Sequence, residues 1–249
     1  MALGPDHLKA VNGFLAKSGG KDKLTALIQY AAMFVSAGEP GNAKKVQVSV
    51  AAARKVFRIF GPLEQLTPLV LNPRLNPNKP SAIEIINKLK QMLMAVYFGA
   101  DHVVWASQAG LYTNKQAVER WQKASLYGWM GGSVCTVVAE CYELLALTAV
   151  RRDGESEAAW KARQARALAE VDGRLLVLFH ALVQAALACG LLGVLPFKPR
   201  FVGFLGVVAS AVNCYMLFPA LPKPTAPPVK AAPATCPAPD APKLTTKTA

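Results

Sequence analysis

An all-α membrane protein is the fold class this sequence predicts, and three observations predict it. Two uncharged runs of 21 residues, LLVLFHALVQAALACGLLGVL at 175–195 and FVGFLGVVASAVNCYMLFPAL at 201–221, lie side by side near the C-terminus. At about 1.5 Å per helical residue, each suffices to cross roughly 30 Å of hydrocarbon. Hydrophobic residues make up 53% of the 249-residue chain and charged residues 17%, the latter below the roughly 25% usual for soluble domains. Apolar residues recur at helical spacing in segment after segment, and no useful stretch alternates as a strand would.

Taken in order, Asp6 is placed to cap a short helix in which Leu8, Val11, Phe14 and Leu15 share a face, with Ser18-Gly19-Gly20 expected to stop it. A second helix is expected from about Asp22 to Val35, with Leu24, Leu27, Ile28, Ala31 and Phe34 on its stripe, before the turn AGEPGN. Next comes the most strongly patterned stretch, AKKVQVSVAAARKVFRIFGPL at 43–63. Wound as a helix, it puts Val46, Val50, Ala53, Phe57 and Phe60 on one side and Lys44, Gln47, Arg54, Lys55 and Arg58 on the other. Lys45 and Ser49 intrude on the apolar flank, and Gly61-Pro62 is expected to end the helix. Such a helix either buries its stripe in a bundle or lies on an anionic bilayer with that stripe inserted.

Four prolines and two Asn-Pro steps make 66–81 a loop by composition. Helix resumes near Ala82, capped by Ser81, and its apolar half from Met92 to Ser107 is interrupted by Asp101 and His102, which favours a buried or interfacial helix over a clean span. The uncharged run from Ala124 to Ala139 is flanked by Trp121, Tyr127 and Trp129, as at a headgroup boundary, and its Gly128 and Gly132 form a GxxxG suited to close helix packing. Residues 151–174, with six basic and five acidic side chains, read as a solvated helix in which Glu157 precedes Lys161 by one turn. The two apolar runs that follow are joined by PFKPR and form a membrane hairpin, with Ala186, Gly190, Gly206 and Ser210 available for close contact. Eight prolines in the last 28 residues cannot build a core, so the tail is expected to be disordered.

The charge balance narrows the partners. Net charge is +13, and residues 1–60 alone carry nine basic and three acidic side chains. That suits an anionic membrane; no zinc-finger spacing, RNP-like aromatic run or helix-turn-helix accompanies it, so nucleic acid is disfavoured. The five cysteines, Cys135, Cys141, Cys189, Cys214 and Cys236, contain no CxxC pair and read as reduced thiols. No nucleophile, metal or cofactor constellation is present, so no catalytic residue, cofactor or metal is expected. MALGPDHLKAVNG lacks the apolar run of a secretory signal and TTKTA is no SKL-type address, so organelle targeting is expected from internal segments.

Four blocks in this order, KDKLTALIQYAAMFVSAGEPGNAKKV with SVAAARKVFRIF, DHVVWASQAGLYTNK, SLYGWMGGSVCTVVAECYEL, and GLLGVLPFKPRFVGFLG with SAVNCYMLFP, resemble the peroxin eleven family, particularly its plant and algal branch, over about residues 14–219. The resemblance implies a protein of the peroxisomal membrane that elongates it before a dynamin-related GTPase, recruited through fission adaptors, severs it. It also implies self-association into homo-oligomers and both termini in the cytosol. The family's membrane-remodelling helix falls on Lys44 to Phe60, which makes Lys44, Val46, Val50, Arg54, Lys55, Phe57, Arg58 and Phe60 the candidate membrane-binding residues. The Pro-rich tail departs from relatives with short basic ends and lacks a dilysine.

The expected organisation is therefore a cytosolic helical region at 1–65, a Pro-rich loop at 66–81, a partly membrane-associated helical region at 82–174, the hairpin at 175–221 and the tail at 222–249. The rival to membrane shaping is a pore or metabolite channel. It requires a polar stripe across the bilayer, for which the hairpin offers only His180, Gln184 and Asn213.

Overall fold

The structure, a computed structural model, describes residues 4–76, 80–147 and 154–219. Among them are eight helices and no strand: α1 Pro5–Ala16, α2 Ser18–Ser36, α3 Asn42–Phe57, α4 Gly61–Leu71, α5 Ser81–Gln108, α6 Lys115–Leu147, α7 Glu157–Leu192 and α8 Pro199–Leu217. The expected tail at 222–249 with its Cys236, residues 77–79 of the expected loop and 151–153 of the charged segment lie outside the described residues.

Several local expectations need correction. Ser18-Gly19-Gly20 does not stop α1; the break is the extended Lys17, and these three residues open α2. Asp6 lies in the first turn behind Pro5, with Gly4 at the cap, and Ser81 is the first helical residue of α5 rather than its cap. The patterned helix ends at Phe57, earlier than residue 63, because Arg58 to Phe60 form a tight turn. Gly61-Pro62 then starts α4 instead of ending α3, since a proline in the first turn forfeits no intrahelical bond. Residues 66–71 of the expected loop are consequently helical, with Pro68 tolerated inside the helix.

Among the described residues, three helices are long and apolar enough to cross a membrane: α6, α7 and α8. The charged segment from Glu157 onward and the first apolar run as far as Leu192 are one continuous helix, α7, capped by the Ser156 hydroxyl accepting from the Ala159 amide and ended by Gly193 in the left-handed conformation. Residues 193–198 form the turn into α8.

Packing is dominated by two antiparallel pairs, α5 with α6 and α2 with α8, and α7 lies against α6. Gly128 explains the first close approach: a Cβ there would stand 2.7 Å from the Leu93 carbonyl oxygen of α5, and one on Gly132 would meet Met94. The candidate packing glycines of the hairpin behave differently. Gly190 faces Phe197 and Val202, whereas Gly206 faces the Tyr30 ring of α2, so α8 packs more extensively on α2 than on its hairpin partner α7. Contact runs along α8, from Phe14 of α1 beside Phe218 at its end to Gly38, just past α2, against Pro199 at its start. The core between them holds Ala26, Tyr30, Leu187, Val202 and Ala209.

Candidate functional site

The third helix is the centre of the candidate site, and its orientation is the reverse of a soluble amphipathic helix. Its basic side faces inward. Arg54 and Lys55 are each 8% exposed, and Arg58 is nearly covered. The side chains meet two acids of neighbouring helices, Asp22 in the polar start of α2 (2% exposed) and Asp101 in the apolar half of α5 (4%). Arg54 donates from Nε to Asp22 at 3.1 Å and from Nη1 to Gln29 at 2.6 Å. Arg58 bridges both acids, its Nε 3.4 Å from Asp22 and its Nη2 2.9 Å from Asp101, and also donates to the Tyr97 hydroxyl. Lys55 pairs with Asp101. Lys23, half-buried, adds a fourth cation 3.2 Å from Asp22.

Burial alone would raise the Asp22 carboxyl, but Lys23, Arg54 and Arg58 override it and hold the group below the ordinary carboxylate range. For Lys55 the balance falls the other way: burial pushes the ammonium down, and Asp101 restores only part of the loss. Four cations share two carboxylates, which leaves the cluster with an excess of positive charge.

The apolar side faces outward. Val46, Val56 and Phe60 are exposed, Phe60 at 70%, while Val50 and Phe57 are half-buried. Ile59 in the turn and Leu63, Leu66 and Val70 of α4 extend this exposed surface beyond α3. Of the candidate membrane-binding cations, only Lys44, half-buried in the first turn of α3, has no part in the ion-pair cluster.

The cluster borders a cavity of about 310 Å³ between α2, α3, α5 and α6, whose wall includes Arg54, Lys55, Arg58, Asp101, Tyr97 and Ser125. Tyr30, Arg54, Tyr97 and Trp129 also line a second cavity of about 90 Å³ that reaches Lys23, Gln184 and Asn213. There Trp129 donates to Gln184 at 2.9 Å, and Gln184 donates to His180 Nε2 at 2.8 Å, so His180 is tied through Gln184 to α6. On the other side, Gln108, Gln122, Leu126 and Leu191 join the larger cavity to a groove of about 600 Å³ that continues over Val104, Val118 and Leu192.

Sequence reasoning identified the cations of α3 but not Asp22 and Asp101 as their partners. Part of the signal was present: Asp101, a lone acid in the apolar half of α5, needs a buried cation, and α3 with the turn after it offers three, whereas Asp22 between Lys21 and Lys23 gave no such sign.

The sequence of the described helices can now be set beside known proteins. The family model for peroxisomal biogenesis factor 11 (PEX11) matches residues 8–218. The chain belongs to the PEX11 family. Peroxisomal membrane protein 11C of Arabidopsis thaliana is 36% identical over 217 residues, covering 84% of this chain and 92% of that relative. Peroxisomal membrane protein 11D of the same plant is 34% identical over 224 residues, with 87% and 94% covered. Peroxisomal membrane protein 11-1 of Oryza sativa subsp. japonica is 33% identical over 217 residues, with 83% and 89% covered. No solved structure matches the chain. With three helices apolar enough to cross a bilayer, this PEX11-family chain is a protein of the peroxisomal membrane. The family match covers every helix of the ion-pair cluster.

Proposed function

We propose that this PEX11-family protein elongates the peroxisomal membrane during peroxisome proliferation, without catalysis, by inserting the outward apolar face of α3 and α4 into one leaflet. The observation that carries the reading is the inverted helix: Val46, Val56, Ile59 and Phe60 point away from the bundle while the neighbouring cations are paired with acids inside it. In water, exposure of that surface is unfavourable at about 25 cal/mol per Å². In a leaflet it is not, and inserted volume on one side of a bilayer favours curvature. Lys44 and Lys45, at the start of α3, serve the anionic headgroups. Self-association concentrates the effect, and fission adaptors and a dynamin-related GTPase act on the elongated membrane, as the family resemblance implies. Both ends share the cytosol if α5 crosses with α6, α7 and α8; Asp101 is then carried through as an ion pair.

Replacing Val56, Ile59 and Phe60 with Ser tests the wedge without touching the interior cations. The variant is expected to remain in the peroxisomal membrane and to lose elongation in cells and tubulation of anionic vesicles. Normal elongation by this variant would defeat the reading.

A second reading, a pore for small solutes, is favoured by the connected cavities. Their polar wall comes from α2, α3 and α5 as well as from Gln184 and Asn213, and is richer than the hairpin alone supplies. Flux of small solutes through vesicles containing the protein, reduced by Ser125→Trp, would support it; vesicles as tight as protein-free ones would exclude it.

A further inference from the structure

We propose that the cationic cavity and the groove it opens into form one interior site for an anionic amphiphile, an acyl chain with a phosphate or carboxylate head. The cavity wall carries three cations, Arg54, Lys55 and Arg58, against one carboxylate, Asp101. Including Asp22 and Lys23 behind that wall still leaves four cations to two acids. Excess buried positive charge is costly, and a bound anion relieves it. Donors remain for that anion: Lys55 has three ammonium protons, and Asp101 is its one protein acceptor among the described residues. Arg54 adds guanidinium donors beyond those it gives to Asp22 and Gln29, whereas Arg58 is largely engaged by Asp22, Tyr97 and Asp101.

The tail is argued from continuity. A free metabolite would need only the 310 Å³ cavity, but Leu126 and Leu191 belong to both this cavity and the 600 Å³ groove, which runs on over Val104, Val118 and Leu192. A head seated at Lys55 thus has an exit for its chain along α5, α6 and α7, with an apolar wall from these residues, Gln108 and Gln122 at the junction, and Glu119 and Lys123 also lining the groove. The site is internal and distinct from the outward face of α3, and the inference rests on neither the wedge nor the pore.

The test uses the full chain purified in neutral detergent and read by native mass spectrometry, with dioleoyl phosphatidic acid, oleate, inorganic phosphate and dioleoyl phosphatidylcholine as separate probes. Phosphatidic acid, oleate or both should be retained as a one-to-one adduct, and phosphatidylcholine should not; which acid is kept distinguishes a phosphate from a carboxylate head. Lys55→Gln should weaken retention about tenfold, the loss of one charge-assisted hydrogen bond. Leu126→Trp should block the tail at the junction and abolish the lipid adduct, with the ion pairs untouched. Retention of phosphatidylcholine equal to the acids, binding of inorganic phosphate alone, no adduct, or undiminished adducts in the folded Leu126→Trp variant would each overturn the proposal.

Discussion

The first turns of α7 and the last turns of α3 are both dense in charge, yet the molecule treats them oppositely. On α7, Lys161 and Glu157 pair at 2.7 Å with side chains 71% and 69% exposed; on α3, Arg54 and Asp22 pair at 3.1 Å with 9% and 3% exposed. The difference lies in the neighbours. The α7 segment supplies its own acids and projects from the bundle, whereas α3 has no acid of its own and must borrow Asp22 and Asp101 from α2 and α5. Exposed pairs contribute little because water competes for both ions, while removal of one member of a buried cluster strands a charge where water cannot reach it. Charge density alone therefore says little about what a charged helix does; the source of its counter-ions says more.

The largest expected effect breaks this contrast at its buried end. Asp101→Asn strands Lys55, leaves Arg58 with Asp22 alone, and should cost roughly 3–5 kcal/mol, read as a lowered denaturation midpoint of the detergent-solubilised protein. Loss below about 0.5 kcal/mol would show that the cluster is hydrated. Next in size is a pair of glycines, one packed and one open. Gly128→Ala drives a methyl into the α5 backbone and should cost about 1–3 kcal/mol, whereas Gly173→Ala, with nothing within 4 Å of an added Cβ, should gain about 0.5–1 kcal/mol of stability.

Titration sharpens the comparison further. The Asp22 pKa is lowered in the folded state from its ordinary 3.8, so its stabilisation is fully present above 3.8 and is lost as pH falls through the lower folded-state value. Thermal unfolding followed by circular dichroism should show a midpoint that drops below that pH, and Asp22→Asn should flatten the drop. The smallest effect belongs to the exposed pair: Glu157→Gln should change stability by less than about 0.5 kcal/mol by the same measurement.

How much of this was legible depended on whether one stretch of sequence contained its own explanation. The two apolar runs did, because length and absence of charge suffice to identify long membrane-competent helices, and the turn between them is enforced by Pro196 and Pro199. Gly128 and Gly132 marked a close approach, but spacing could not name α5 as the partner. The two faces of α3 were equally visible, and their direction was not. Periodicity separates apolar from polar sides, whereas inward and outward are decided by the surroundings, and in lipid the usual assignment inverts. Helix α4 was obscured by its prolines: Pro62 is harmless in a first turn, and only Pro68 removes an internal bond. The partners of α3 lie 32 and 46 residues away in sequence, beyond any local pattern.

The unbroken course of α7 has a mechanical consequence. Its 36 residues make a rod of about 54 Å, well beyond the roughly 30 Å of a bilayer interior, with no proline or cap where the charged part gives way to the apolar one. A hinge there would let the outer part swing without disturbing the inner. A continuous helix does not, so a force applied to the segment around Lys161 acts on a lever whose inner arm, of equal length, lies against α6.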